Sequence, residues 1–314
     1  MKTALRVILV LLMLACMLVL VPSGAIVAQA EIVEIPLDAA GGMPPLEEGY
    51  LSLREYRDPS ISVVIETGRY EDTNYMTARI TLANASQLRS ALSSKSYLSP
   101  VADKPTRIAE RVKAVFAING DFYGENYGRG VMIRQGKQYR AFKANTYYRH
   151  ERAVGNWDIL MLDEQGDMHI LKAAEKADVE DFLARHTVVN SFNFGPGLII
   201  DGEPQTGYKN MNDAADIPAQ RMAFCQTGSL EYLCVYSEGP QDEPDKNGLT
   251  LQQMTDLLVQ LGGIQNAYCM DGGSSAQMIF RSENAAYDKI NSSTPGKARE
   301  VYDILYFVSA YVPD

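Results

Sequence analysis

The chain has 314 residues, 46% of them apolar and 22% charged, a globular composition that allows a sizeable buried core. Its formal net charge of −10 argues against nucleic acid and against an anionic membrane surface as partners. An anionic ligand would therefore have to be met by a local cluster of donors.

Lys2 and Arg6 precede an unbroken apolar run over residues 7–21, and the segment closes on Ala28-Gln29-Ala30 before Glu31. A basic start, an apolar middle and a small-x-small exit make the layout of a secretory signal. The run is short for a membrane-spanning helix, which needs roughly 20 residues. Residues 22–28 extend it, so a retained N-terminal anchor is the alternative to cleavage. Either fate of residues 1–30 carries the rest of the chain out of the cytoplasm, secreted or extracytoplasmic, with membrane contact only through this segment if it is retained. Cys16 sits in a faint lipoprotein-box pattern that the following apolar residues weaken. Of the other cysteines, Cys225 and Cys234 flank a hairpin turn, where a cross-strand disulfide and buried thiols are both compatible with the pattern, and Cys269 stands apart.

Residues 31–49, rich in Pro, Gly and Glu, read as a linker, and residues 50–314 as one catalytic-size domain. Residues 61–65 are apolar and β-branched, and residues 75–82 alternate, with Ala78, Ile80 and Leu82 on one face. Residues 86–93 suggest a short helix. Residues 112–118 form an apolar run broken only by Lys113, as in a strand covered on both faces. Residues 131–134 with the turn Gln135-Gly136, and residues 157–162 with 168–171, read as hairpins. Residues 173–186 carry Val179, Phe182 and Leu183 at helical spacing. Strands follow over residues 198–200 and 222–236, the latter folded back at Thr227-Gly228-Ser229. The best-defined helix begins at Thr250, with Gln253 completing a capping box and Leu251, Met254, Leu257, Leu258 and Leu261 forming one stripe. Gly262-Gly263 ends it, and residues 264–270 re-enter a sheet. Strands without regular β-α alternation indicate an α+β fold: mixed, strand-rich sheets with a few packed helices in a single domain.

Two segments share one chemical logic, an apolar strand stopping at a polar residue followed by glycine. They are Asn119-Gly120-Asp121-Phe122-Tyr123 and Asp271-Gly272-Gly273-Ser274-Ser275. A buried strand holds its terminal side chain rigidly, and the glycines allow a sharp bend whose N–H groups can form an anion nest. Phe194-Gly195-Pro196-Gly197 is a third rigid turn. Arg221 offers a planar fork for phosphate oxygens, with Arg129 and Arg134 as weaker candidates. His150, His169 and His186 show no metal-ligand spacing and no partner carboxylate at a useful interval, and read as surface or structural. No cofactor motif is present; Asp242-Glu243-Pro244-Asp245 suits either a structural calcium or a solvated acidic turn. The segment over residues 207–220 reads as a lid or substrate-selecting loop.

These motifs, together with Gly248-Leu249-Thr250-Leu251, occur in an order that resembles the phosphodiester glycosidase family over roughly residues 56–308. Where that family often has a third glycine after the aspartate, this chain has Ser274; where Thr often follows the arginine, it has Met222. The resemblance implies hydrolysis of a sugar-1-phosphodiester at the glycosidic carbon–oxygen bond, with phosphorylated cell-wall or extracellular polysaccharide as the expected setting. It implies Asp271 as the carboxylate that stabilises an oxocarbenium-like state or activates water, and Asp121 as its partner or as a sugar clamp. Asn119 would orient the sugar, Arg221 would meet the phosphate, and Gly120, Gly195, Pro196, Gly272, Gly273, Ser274 and Ser275 would bind substrate. A different class fits the same residues: a non-catalytic cell-envelope module that binds phosphorylated glycans.

Overall fold

In the computed structural model the described residues are 30–94, 97, 101–121, 130–143, 147–149, 152–154, 158–208, 215–241, 244–281, 286–291 and 299–314. Residues 1–29 fall outside them, as do Phe122, Tyr123, Arg129, His150, Asp242 and Glu243 of the sequence reading.

The strands of the main sheets begin with β1 (Tyr50–Ser52), β2 (Glu55–Asp58), β3 (Ile61–Tyr70), β4 (Thr73–Leu82) and β5 (Leu88–Leu92), followed by helix α1 (Pro105–Arg111) and β6 (Ala114–Asn119). Then come β7 (Gly130–Arg134), β8 (Lys137–Lys143), β9 (Ile159–Asp163), β10 (Met168–Leu171), helix α2 (Lys176–Arg185) and β11 (Val188–Phe192). The last third holds β12 (Gly197–Ile200), β13 (Glu203–Pro204), β14 (Arg221–Gly228), β15 (Glu231–Ser237), helix α3 (Leu251–Leu261), β16 (Asn266–Cys269), β17 (Met278–Arg281), β18 (Tyr287–Lys289) and β19 (Asp303–Val308). One sheet runs β13-β12-β16-β14-β15-β4-β3-β2-β1 and a second runs β18-β17-β6-β19-β5. A smaller sheet has the order β10-β9-β11.

Side-chain alternation turns these two sheets into four layers. Along β14 and β15, Met222, Phe224, Tyr232 and Cys234 enter the core between the sheets, where they meet Phe116 and Ile118 of β6 and Leu305 and Phe307 of β19. The intervening Ala223, Cys225, Leu233 and Val235 face the other way, onto Leu251, Met254, Leu257 and Leu258 of α3. The outer face of the second sheet (Ala117, Ile304, Tyr306) is covered by Ile108 and Ala109 of α1. β6 is buried along its whole length, as its near-continuous apolar run predicts. The fold is α+β, a strand-rich single domain.

The cysteine alternatives resolve on register. Cys225 pairs with Leu233 and Cys234 with Phe224, so the two thiols enter opposite cores, and all three described cysteines are free and buried.

Residues 86–93 are not a helix. A 3-10 turn at Ala85–Gln87 leads directly into β5, which pairs with β19. The Gln87 side chain decides this, because it accepts from the N–H groups of Ala83 (2.9 Å) and Asn84 (3.0 Å) and donates to the carbonyls of Ser60 (3.0 Å) and Val308 (2.9 Å). Those tertiary bonds outweigh a weak local preference. Helix α1, opened by Pro105 at its first turn, was not anticipated.

The stretch read as a linker packs onto the domain through Arg89, which is fully buried. Its guanidinium donates to the carbonyls of Ile35 (3.3 Å), Pro36 (3.0 Å), Leu37 (3.2 Å) and Ala39 (3.1 Å), which share the work of solvating a buried cation.

Helix α3 starts as its sequence demands. Thr250 Oγ1 accepts from the Gln253 N–H (3.2 Å), Gln253 Oε1 accepts from the Thr250 N–H (3.0 Å), and Gly262 ends the helix at φ +74°. Thr250→Ala is expected to cost about 1 kcal/mol of stability, measurable as a lower urea midpoint at unchanged slope.

Candidate active site

Asn119 ends β6 in one sheet, and Asp271 lies just beyond β16 in the other. Asn119 Nδ2 donates to the Asp271 carbonyl (2.8 Å) and its Oδ1 accepts from the Gln277 N–H (3.1 Å), so this one side chain stitches the two strand ends together. Behind it, the N–H groups of Met270 and Gly273 donate to the carbonyls of Met222 (2.8 Å) and Gln220 (2.9 Å) on and beside β14.

A polar pocket of about 170 Å³ opens at this junction, lined by Asn119, Gly120, Asp121, Asp271 and Ser275 and closed by Arg299, Glu300 and Tyr302. Burial pushes the Asp271 carboxyl up to about 6. The Ser275 hydroxyl, the Arg299 charge and the Gly272 N–H oppose that rise, and Asp121 adds to it. A carboxyl so placed changes charge near neutral pH, as acid-base and nucleophilic groups do.

Asp121 is held from two sides. Arg134 donates to its Oδ1 (2.8 Å), and the Asn193 N–H donates to its Oδ2 (2.7 Å). Arg134 also grips Asp303 Oδ2 through Nε (3.1 Å) and Nη2 (2.6 Å), bonds the Ser191 carbonyl and lies over the Phe192 ring. Both carboxylates of this bridge are buried. Burial drives the Asp303 pKa well upward against the pull of Arg134, with Asp121 and Asp271 adding to the rise. Gly120 is needed here, because a Cβ at that position would lie 2.2 Å from Asp303 Oδ1.

The structure thus gathers Asn119, Gly120, Asp121, Asp271 and Ser275 at one pocket and leaves other expected residues out of its lining. The Arg221 side chain turns toward α3, where Nε donates to the Leu249 carbonyl (2.9 Å) and Nη2 to the Ile217 carbonyl (2.7 Å). Strand alternation explains this placement: Arg221 shares a face with Ala223 and Cys225, away from the inter-sheet core. Gly195 and Pro196, joined by a cis peptide bond, brace β16, where the Cys269 N–H donates to the Pro196 carbonyl (2.9 Å).

At the expected nest Gly272-Gly273 the chain forms a 3-10 turn, and four of its amides are used internally. The N–H of Gly272 bonds Asp271, that of Gly273 bonds Gln220, and those of Ser275 and Ala276 bond the Gly272 and Gly273 carbonyls. Ser274 belongs to this turn and does not line the pocket.

Sequence reasoning missed Arg299, Asp303 and Asn193; Arg134, a weaker candidate there for meeting phosphate, pairs with Asp121 and Asp303. Asp303 carried a readable signal, since it is a charged residue at the mouth of an apolar strand, the same pattern as Asn119 and Asp271. Arg299 carried none. The histidine reading also needs correcting: the β9–β10 hairpin sets His169 Nε2 2.8 Å from Asp163 Oδ2, so this histidine does have a partner carboxylate.

A sequence profile of the phosphodiester glycosidase family matches residues 112–308, more than half of the chain, from α1's end through β19. The chain belongs to the phosphodiester glycosidase family. Among curated proteins none matches it in sequence. Among solved structures it is similar to the catalytic domain of zebrafish N-acetylglucosamine-1-phosphodiester alpha-N-acetylglucosaminidase, auto-inhibited by its pro-peptide. That match has a TM-score of 0.60 at 15% identity and covers 89% of this chain and 98% of that one. It is also similar to a hypothetical protein from Synechocystis, at TM-score 0.51 and 15% identity, over 81% of this chain and 62% of that one. At such identities these likenesses show a shared fold.

Two stability measurements follow for this phosphodiester glycosidase scaffold. Arg134→Met strands two buried carboxylates and is expected to cost roughly 3–5 kcal/mol in urea unfolding at pH 7. Asp271→Asn is expected to raise the melting temperature at pH 7–8. The folded carboxyl sits near 6 against an ordinary 3.8, so its ionisation favours the unfolded chain. That advantage should shrink as pH falls through 6 and vanish below about 4, where both states hold the proton; a difference that persists at low pH would contradict this account.

Proposed function

We propose that this protein is an exported hydrolase that cleaves the glycosidic carbon–oxygen bond of sugar-1-phosphodiesters in cell-wall or extracellular polysaccharide. The observation that carries the reading is Asp271, a carboxyl shifted to about 6, in one polar pocket with the Arg299 guanidinium. Family membership supports the reaction class, and the signal-like layout of residues 1–30 supports export. No helix among the described residues is long and apolar enough to cross a membrane.

The division of labour follows from residue types. A phosphate ester is a good leaving group that needs charge stabilisation more than a proton, and Arg299 supplies it where Arg221 was expected to. Ionised Asp271 stabilises the oxocarbenium-like carbon or activates water at it. The Ser275 hydroxyl fixes the orientation of that carboxylate. Asp121, anchored by Arg134 and Asn193, receives a sugar hydroxyl. Asn119 acts through the backbone that it holds, since both of its polar atoms bond the chain itself.

The test is incubation of the purified protein with a set of sugar-1-phosphodiesters in ¹⁸O-labelled water. Free sugar carrying the label and an unlabelled phosphomonoester are expected; label in the phosphate would assign cleavage to the phosphorus side and overturn the reading. Asp271→Asn should lower kcat by about 10²-fold or more while substrate still binds. Arg299→Met should lower kcat/KM by roughly 10²–10³-fold. Rate should fall as pH drops below about 6, where Asp271 takes up its proton. Binding without turnover by the wild-type protein would instead indicate a glycan-binding module.

A further inference from the structure

Outside the pocket, Asp163, His169 and His186 bring their donor atoms within 4.8 Å of one another. Three elements supply them. Asp163 ends β9, His169 lies on β10 across the hairpin, and His186 follows the last turn of α2, its N–H bonded to the Phe182 carbonyl (3.0 Å).

The arrangement is fixed from behind. Asp163 Oδ1 accepts from the N–H groups of Gln165 (3.0 Å) and Asp167 (2.9 Å), which leaves Oδ2 aimed at His169 Nε2. Phe182 stacks on the His186 ring at 4.2 Å and lies 5.1 Å from the His169 ring, so an apolar wall backs both imidazoles. Oriented ligands with a hydrophobic shell are what a metal site requires of its surroundings.

We propose that Asp163, His169 and His186 bind one divalent transition-metal ion, with zinc the best match, pinning the end of α2 to the β9–β10 hairpin. Two imidazoles and a carboxylate suit zinc and its neighbours, whereas calcium takes oxygen ligands. Zinc–ligand bonds of about 2.0–2.2 Å place the donor atoms of one ion roughly 3.5 Å apart. Part-exposed His169 and His186 need swing only about 1 Å to close on the ion. Three protein ligands leave a fourth position for water. The ion would stand at the entry to β11, the strand that leads to Asn193 and so to the anchoring of Asp121.

The test uses the full chain, stripped with chelator and titrated with zinc chloride by calorimetry, beside a melting curve. One equivalent of zinc should bind, and the melting temperature should rise by roughly 5 °C or more at a hundredfold excess over Kd. Both effects should be lost in His169→Gln and in His186→Gln and kept in Asp271→Asn. The absorption spectrum of the cobalt-loaded wild type, which needs no variant to fold, should show a four-coordinate nitrogen–oxygen site. Absence of zinc uptake, uptake unchanged in both histidine variants, loss of uptake in Asp271→Asn, or a six-coordinate cobalt spectrum would each overturn the proposal.

Discussion

Arg134 is the member on which the pocket's architecture depends. One guanidinium joins Asp121 at the end of β6 to Asp303 at the start of β19, and through Ser191 and Phe192 it also reaches β11. Without it, two buried acids would stand together with no cation to balance them. Its charge is thus spent inside the fold. Among the described residues, Arg299 is the cation that borders the pocket.

Asp271 shows what a buried-strand terminus does for chemistry. Just past the strand's end the half-buried carboxyl is partly desolvated, which raises its pKa, and it shares the pocket with Ser275 and Arg299. A freely solvated aspartate would be ionised at every physiological pH and would not respond near pH 6. The raised value opposes folding at neutral pH, so this carboxyl is one that the scaffold must outweigh elsewhere. The four-layer core, with the caps of α3 and the carbonyl-solvated Arg89, supplies that stability.

Much of the site was legible because strand periodicity and glycine are local signals. Asn119-Gly120-Asp121 and Asp271 with Ser275 lie at the ends of apolar runs, and such runs become buried strands whose last residue is held in place. Arg221 sits at a strand start, and alternation sends its side chain to the α3 face; the sequence does not say which face of that strand meets the pocket. The pairing of Arg134 with Asp303 was hidden because the two residues lie 169 positions apart in the chain. Residues 86–93 failed where Gln87's distant partners overrode a weak helical pattern.

By itself the sequence determined the α+β class, the caps of α3, the buried course of β6 and the two polar strand ends, since each depends on residues within a few positions of one another. Tertiary structure alone decided that those ends meet and that Arg134 rather than solvent balances Asp121. It also decided that Arg299 borders the pocket, that Arg221 turns to the α3 face, and that His169 stands against Asp163. These outcomes are set by which faces of which strands pack together, a long-range choice that no local window of the chain contains.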